Sequence, residues 1–383
     1  MISYGKQQIT DADVDAVTEV LRSDWLTQGP QVPKFEAAIS DLCDVKHSIA
    51  VNSATSALHI ACLALGVSHG DIVWTSPVSF VASSNCALYC GANIDFVDIS
   101  PLTGNIDSKK LEKKLALAKQ NNTLPKVVIA VHLAGQPCDM AQINFLSKQY
   151  GFRVIEDASH AIGAKYKENA VGNCLYSDIT VFSFHPVKII TSAEGGMATT
   201  NCNELARKMI KLRSHGITSI ETEMTEESHG PWYYQQQMLG FNYRMTDLQA
   251  ALGLSQLSKL EEFVRIRNQL ASIYRSKIAK LPCTHLLQKN DCYSSYHLFI
   301  ILLDPSVQEK HRATIEKLRE KGIQAHLHYI PIHLQPYYQQ MGFKSGDFPC
   351  SEEYYKRAVT LPLHPQLTEQ DLDYIVNVLS DTL

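Results

Sequence analysis

The sequence predicts an α/β fold: a mostly parallel sheet buried between helices, followed by a smaller α+β domain. From about Ser48 to Thr200, short β-branched runs alternate with helical patterns, the rhythm of repeated strand–helix units. The runs are apolar on both faces, as strands covered by helices on two sides must be. The chain has 383 residues, 45% hydrophobic and 19% charged, which is enough for a large core and two lobes.

Taken in order, residues 1–10 are mostly polar with no apolar signal run, and nowhere does the chain approach ~20 uninterrupted apolar residues. We expect a cytoplasmic protein with no membrane partner. Strands are expected at 49–51, 72–75, 94–97, 127–132, 154–156, 179–184 and 196–200. After Asn52-Ser53, apolar residues at Ala54, Ala57, Leu58, Ala61, Cys62 and Leu65 follow helical spacing, and Gly66 closes that helix. A long helix is expected from Thr246-Asp247 to about Tyr274, leading out of a large domain (1–250) into a small one (251–383). The small domain should hold a strand at 298–303, a helix at 308–321 and a last helix capped by Thr368 and Asp371. The polar stretch 221–230 lacks apolar periodicity and is expected to be a mobile loop.

Several functions are excluded or disfavoured. With 35 Lys and Arg against 39 Asp and Glu, the net charge is −4, and no broad basic face is available for nucleic acid. The ten cysteines are scattered without C-x-x-C pairs, which suits reduced, mostly buried thiols. Gly66-Val67-Ser68-His69-Gly70 spells a nucleophile elbow, but a helix precedes it and a strand follows, the reverse of what an elbow needs. No G-x-G pair and no P-loop exist for a dinucleotide or ATP. His326, His328 and His333 lack a nearby carboxylate or cysteine partner, so no metal is expected, and ligand contact or a surface position is the better reading.

Four features fall at the C-terminal ends of expected parallel strands, where open α/β sheets bind ligands. Asn52-Ser53-Ala54-Thr55-Ser56 opens a helix with small and hydroxyl-bearing residues, either a plain cap or a phosphate cradle. The strand at 154–156 runs into Asp157, with His160 just beyond; a carboxylate there needs a cationic partner, and a protonated pyridine nitrogen would serve. Lys188 stands among Val187, Ile189 and Ile190 just past the strand at 179–184, whose end carries Ser183, and desolvation there favours a neutral, nucleophilic amine. Phe80, on the loop after the second strand, could cover one face of a flat ring. A phosphate cradle, a stacking aromatic, an acid and a buried lysine describe a pyridoxal 5′-phosphate (PLP) site together better than any does alone.

The sequence also resembles the DegT/DnrJ/EryC1/StrS family of PLP-dependent sugar aminotransferases, nearly end to end. Carrying the resemblance are Trp25-Leu-Thr-Gln-Gly-Pro30, Asn52-Ser-Ala-Thr-Ser-Ala-Leu58, Phe182-Ser-Phe-His-Pro-Val-Lys188, Glu194-Gly-Gly196, Gly240-Phe-Asn-Tyr-Arg-Met245 and His326-Leu-His-Tyr329. The resemblance implies the PLP-dependent transferase fold of type I. It implies Lys188 as the lysine that carries the cofactor, Asp157 as the partner of the ring nitrogen, Phe80 as the stacking residue and His160 beside the ring. Ala54, Thr55 and Ser183 would hold the phosphate, joined by Asn242 from a second subunit, which implies a homodimer with shared active sites. Tyr4, Trp25, Leu26, Thr27, His326, Leu327, His328 and Tyr329 match positions lining a nucleotide-sugar pocket. The implied substrates are L-glutamate and a UDP-linked 4-keto-6-deoxy sugar, with another nucleotide-linked keto sugar as the alternative. A PLP lyase or a PLP-free nucleotide-sugar binding protein of the same fold are the rivals.

Overall fold

The computed structural model describes residues 1–383. Helices Asp11–Leu21 (α1) and Gln31–Cys43 (α2) precede His47–Val51 (β1), Ala54–Ala64 (α3), Ile72–Thr75 (β2), Ala82–Tyr89 (α4) and Asn93–Phe96 (β3). Then come Ser108–Asn121 (α5), Val127–Val131 (β4), Met140–Tyr150 (α6), Arg153–Asp157 (β5), and the short strands Lys165–Tyr166 (β6) and Asn169–Ala170 (β7). Ile179–Ser183 (β8), Gly196–Thr200 (β9) and Asn203–Arg213 (α7) complete the layered region.

Seven strands form one sheet in the order β1-β9-β8-β5-β4-β2-β3. The pairs β2–β3, β2–β4, β4–β5 and β5–β8 are parallel, while β9 runs antiparallel to both β8 and β1. Every strand except β9 therefore points the same way, and their C-terminal ends share one edge. Alternate residues explain the two-sided burial. Ile49, Val51, Ile129, Ile155 and Val181 face α3, α4 and α7. Trp74, Val128, Ala130 and Val154 face α5 and α6 on the other side. Fully burying one such branched side chain stabilises by roughly 1.5–3 kcal/mol, so covering both faces adds to the strand preference of these Val- and Ile-rich runs.

The edge that carries the site is built by turns with clear causes. Ser53 caps α3 by accepting from Ser56 N at 3.1 Å, and Gly66 ends that helix at φ 78. Ser68 lies in the turn between α3 and β2 and bonds Asp71, so it belongs to a helix-to-strand connection.

The long helix expected from Thr246 is two helices, Asp247–Leu257 (α8) and Leu260–Ile278 (α9). The break at Ser258-Lys259 follows from an acid buried underneath. Asp13 is 0% exposed and takes hydrogen bonds from Ser255, Gln256 and Lys259. Burial alone would raise its pKa, but the hydrogen bonds from Lys259, Ser255 and Thr10 hold it to about 2. Ile217–Thr218 (β10) and Gln235–Gln236 (β11) pair as a small hairpin, and the stretch expected to be a loop holds one 3-10 turn, Glu221–Glu223.

The small layer is the antiparallel sheet of Cys283–His285 (β12), Phe299–Leu303 (β14) and Ala358–Leu361 (β15), packed on α9, His311–Glu320 (α10) and the last helix, Glu369–Ser380. Cys292–Tyr293 (β13) instead pairs with β6 of the large layer. The helix expected at 308–321 starts later, after a 3-10 segment over Pro305–Lys310, and the Thr368–Asp371 capping box is present. The core divides inside α9: Leu260, Phe263 and Val264 join the large layer, whereas Leu270, Ala271 and Tyr274 join the small one. Ile2 pairs with Ile323, so the N-terminus also belongs with the small layer, and residue 251 is not where the packing changes. All ten cysteines are free. No helix is long and apolar enough to cross a membrane.

Candidate active site

A cavity of about 960 Å³ opens where the C-terminal ends of β1, β5 and β8 meet the small layer. Its floor begins at the first turn of α3. Ala54 and Thr55 contribute amides at the positive end of the helix, where an anion is favoured. Strand β9 passes so close that a Cβ on Gly196 would lie 2.5 Å from Ser53 C and 2.6 Å from Ala54 N. Only glycine permits that approach, which brings Ser183, the cross-strand partner of Gly196, beside the same turn. The cradle of Ala54, Thr55 and Ser183 is therefore tight and hydroxyl-bearing, a donor set that fits a phosphate group.

Asp157 ends β5 with both carboxylate oxygens fixed. Ser83 Oγ donates to Oδ2 at 2.6 Å, and Ser159 donates to Oδ1 through its amide at 3.1 Å and its hydroxyl at 2.6 Å. Lys188 stands in the turn after β8, anchored by Ile189 and Ile190, which are 4% and 1% exposed. Burial lowers the pKa of its amine to about 8, against the opposing pull of Asp157. A useful fraction of that amine is neutral near physiological pH, as a nucleophile requires.

The far wall is aromatic. Burial, reinforced by Lys188 and His328, holds the His160 pKa well below the usual histidine range. Burial, with His326 and Lys188, brings His328 to about 3. His328 Nδ1 bonds Thr360 Oγ1 at 3.0 Å, and Tyr329 Oη bonds His160 Nε2 at 3.0 Å. The ring of Tyr4 packs 5.2 Å from His328 and 5.5 Å from His326. Phe80 is 60% exposed at the rim, its ring free to cover a flat heterocycle. No group of three or more His, Cys, Asp or Glu side chains is placed to hold a metal.

Of the residues expected from sequence, Tyr4, Ala54, Thr55, Phe80, Asp157, His160, Ser183, Lys188, His326, His328 and Tyr329 all line this cavity. Trp25, Leu26, Thr27, Leu327 and Asn242 do not. Trp25 and Leu26 are exposed, and Thr27 bridges to Thr246 instead. The Leu327 amide donates to its neighbour His326 at 2.8 Å. Asn242 is exposed, and its carbonyl accepts from Asn52 Nδ2 at 3.5 Å. Sequence reasoning assigned no role to Ser83, Ser159 or Thr360. Ser159 was readable, two residues past the acid, but Ser83 and Thr360 reach their partners only through tertiary packing.

Residues 7–380 match the profile of the DegT/DnrJ/EryC1/StrS aminotransferase family. The chain is 37% identical over 385 residues to the spore coat polysaccharide biosynthesis protein SpsC of Bacillus subtilis, covering 99% of this chain and 96% of that protein. It is 36% identical over 386 residues to the UDP-4-amino-4,6-dideoxy-N-acetyl-β-L-altrosamine transaminase of Campylobacter jejuni strain 81-176, covering 100% and 98%. Among solved structures, the protein Spr1654 of Streptococcus pneumoniae in its PLP form superposes with a TM-score of 0.89 at 29% identity, over 100% of this chain and 98% of that one.

Proposed function

The chain belongs to the DegT/DnrJ/EryC1/StrS aminotransferase family, and from that premise we propose that it carries an amino group from L-glutamate to C4 of a UDP-linked 4-keto-6-deoxy sugar. The sugar we assign is UDP-2-acetamido-2,6-dideoxy-β-L-arabino-hex-4-ulose, giving UDP-4-amino-4,6-dideoxy-N-acetyl-β-L-altrosamine for pseudaminic acid synthesis in the cytoplasm. The observation that carries the reading is the convergence of Lys188, Asp157, Ser183 and the first turn of α3 on one cavity. Sugar identity is supported by the Campylobacter relative, at 36% identity over the whole chain. The similar likeness to SpsC, at 37%, favours a second reading in which another nucleotide-linked keto sugar is the acceptor.

PLP bound in this cavity supplies a carbonyl that takes up the amino group and a ring that draws in electrons from the reacting carbon. The residues do the rest. Ala54, Thr55 and Ser183 hold the phosphate, and Asn242 reaches across a homodimer to the phosphate site of a second copy. Asp157, fixed by Ser83 and Ser159, would face the ring nitrogen and favour its protonated form. Phe80 would cover one face of the ring, with His160 beside it. Lys188 holds the cofactor at rest. Its Nζ, with a pKa lowered to about 8, would take the proton from the donor's α-carbon as general base and give one back as general acid. Tyr4, Trp25, Leu26, Thr27, His326, Leu327, His328 and Tyr329 receive the nucleotide sugar.

Lys188→Ala should abolish turnover and the visible absorption of the bound cofactor; retention of both would overturn the assignment. A panel of UDP-, GDP- and dTDP-4-keto sugars, with release of 2-oxoglutarate as the readout, separates the two acceptor readings.

A further inference from the structure

The turn after β4 presents one backbone amide to the wall of the cavity. At residues 132–135 the chain doubles back with Ala134 at φ 59, ψ 3, a left-handed conformation that an alanine keeps only when its surroundings hold it. Leu133 N donates to Asn105 Oδ1 at 2.9 Å, and Ser295 N donates to Gly135 O at 3.1 Å. Ser295 Oγ donates to His160 O at 2.9 Å, tying the small layer to the same turn. A Cβ at Gly135 would lie 2.6 Å from Ser295 Oγ and 2.9 Å from His160 O, so the turn cannot relax outward. Held this way, Ala134 N donates to His160 Nδ1 at 3.3 Å.

An amide nitrogen can only donate, so Nδ1 of His160 is unprotonated and the ring's proton sits on Nε2. Turning the ring over would set carbon atoms against both the Ala134 amide and the Tyr329 hydroxyl, and both hydrogen bonds would be lost. The ring is 6% exposed and packs 4.4 Å from the His297 ring, with Lys188 and His328 also facing it, surroundings that disfavour a second proton. Nε2–H then donates to Tyr329 Oη across 3.0 Å. The tyrosine oxygen is thus an acceptor in that bond, and its own hydrogen points elsewhere. Tyr329 and Lys188 line the same cavity.

We infer that the Ala134 amide fixes His160 as the Nε2–H tautomer, and that His160 thereby turns the Tyr329 hydroxyl hydrogen into the cavity as a donor to the ketone oxygen of the acceptor. His160 is the positioning residue, and Tyr329 is the group that touches the substrate. The second half of this inference rests on the sugar-aminotransferase reading; the first half does not.

The tautomer is tested in the cofactor-free protein by nitrogen NMR of ¹⁵N-histidine-labelled chain, with His160→Gln to assign the signals. The expected result is a His160 ring protonated at Nε2 alone; a proton on Nδ1 overturns the proposal, whatever the protein catalyses. The second half is tested with the PLP-loaded enzyme. Tyr329→Phe should raise KM for the keto sugar by about tenfold, the worth of one hydrogen bond, with a smaller change in KM for glutamate. His160→Leu should do the same, and the double variant should be little worse than either single one. Equal effects on both substrates, or effects of the two substitutions that add, would overturn it. A chain that neither binds PLP nor turns over any keto sugar would overturn the proposed function and leave the NMR result standing.

Discussion

Ser83 Oγ reaches Asp157 Oδ2 at 2.6 Å from the first turn of α4, across the edge of the sheet, and is that oxygen's side-chain donor. Ser83 in turn bonds Ser79 Oγ at 2.7 Å, one residue before Phe80, so the loop carrying the ring-covering phenylalanine and the acid beneath the ring are linked by two short hydrogen bonds.

Removing that link should weaken the hold on the cofactor without unfolding the protein. Hydrogen bonds to charged groups contribute about 1.5–3 kcal/mol. Ser83→Ala should therefore lower PLP affinity by roughly tenfold or more, read from the visible absorption during titration of the cofactor-free protein. Asp157→Asn, which keeps the shape and loses the charge, should cost far more in turnover than Ser83→Ala. Similar losses for the two would mean that the ring nitrogen does not rely on an anion at this position.

Lys188 should make the cofactor-free protein less stable at neutral pH than a variant without the amine. Its folded-state pKa is lowered to about 8, below the ordinary value near 10.4, so below pH 8 both folded and unfolded chains carry the proton and the full burial penalty falls on the folded state. As pH rises from 8 toward 10, the folded chain gives up its proton first and the penalty fades. Allowing for solvent in the open cavity, the penalty is on the order of 2 kcal/mol. Cofactor-free Lys188→Met should therefore melt a few degrees higher at pH 7, with the gain shrinking by pH 10. A gain independent of pH would point to packing instead of charge.

How far the sequence reveals this site depends on whether a residue acts along the chain or across it. Lys188, Asp157 and the cradle at Ala54-Thr55 stand at strand ends, and a strand end is readable from where an apolar run stops. Every strand of the large sheet lies within two residues of its expected place, and β4, buried on both faces, is an unbroken apolar run. It did not locate the break between α8 and α9, since the buried Asp13 that draws in Lys259 lies 246 residues away. Nor could spacing reveal why Gly196 must be glycine: the Cβ it lacks would strike Ser53, a contact made only when β9 pairs beside β1.

The second carboxylate of the pair at the end of β5 is structural. Glu156 is 5% exposed and takes hydrogen bonds from His132 Nε2 at 2.8 Å, Ser177 Oγ at 2.5 Å and Thr180 Oγ1 at 3.2 Å. The Cys138 amide donates to His132 Nδ1 at 3.2 Å, so the imidazole proton is on Nε2 and faces the acid. Burial would raise the pKa of Glu156, but the His132 bond and the two hydroxyls outweigh it and hold the pKa below the usual carboxylate range. A lowered folded-state pKa stabilises above the unfolded value near 4.3, and the contribution is lost as pH falls through the folded one. Glu156→Gln should therefore cost about 2 kcal/mol at pH 7 and progressively less below pH 4, measured by urea unfolding across that range. A cost that stays constant down to pH 3 would show that the charge contributes nothing.

Asn242 offers the sharpest test of shared active sites, because it is exposed and lies outside the cavity of its own subunit. The segment around it also leaves Trp232 and Leu239 76% and 79% exposed, apolar surface that a second copy would cover. If Asn242 serves the phosphate site of a second copy, Lys188→Ala and Asn242→Ala chains should complement each other. In a mixed dimer one site then carries both defects and the other carries neither. Mixing the two inactive variants under conditions that exchange subunits should restore activity, approaching a quarter of the native level when half the dimers are mixed and one of their two sites works. If Asn242 acted within its own subunit, each site of the mixed dimer would keep one defect, and no activity would return.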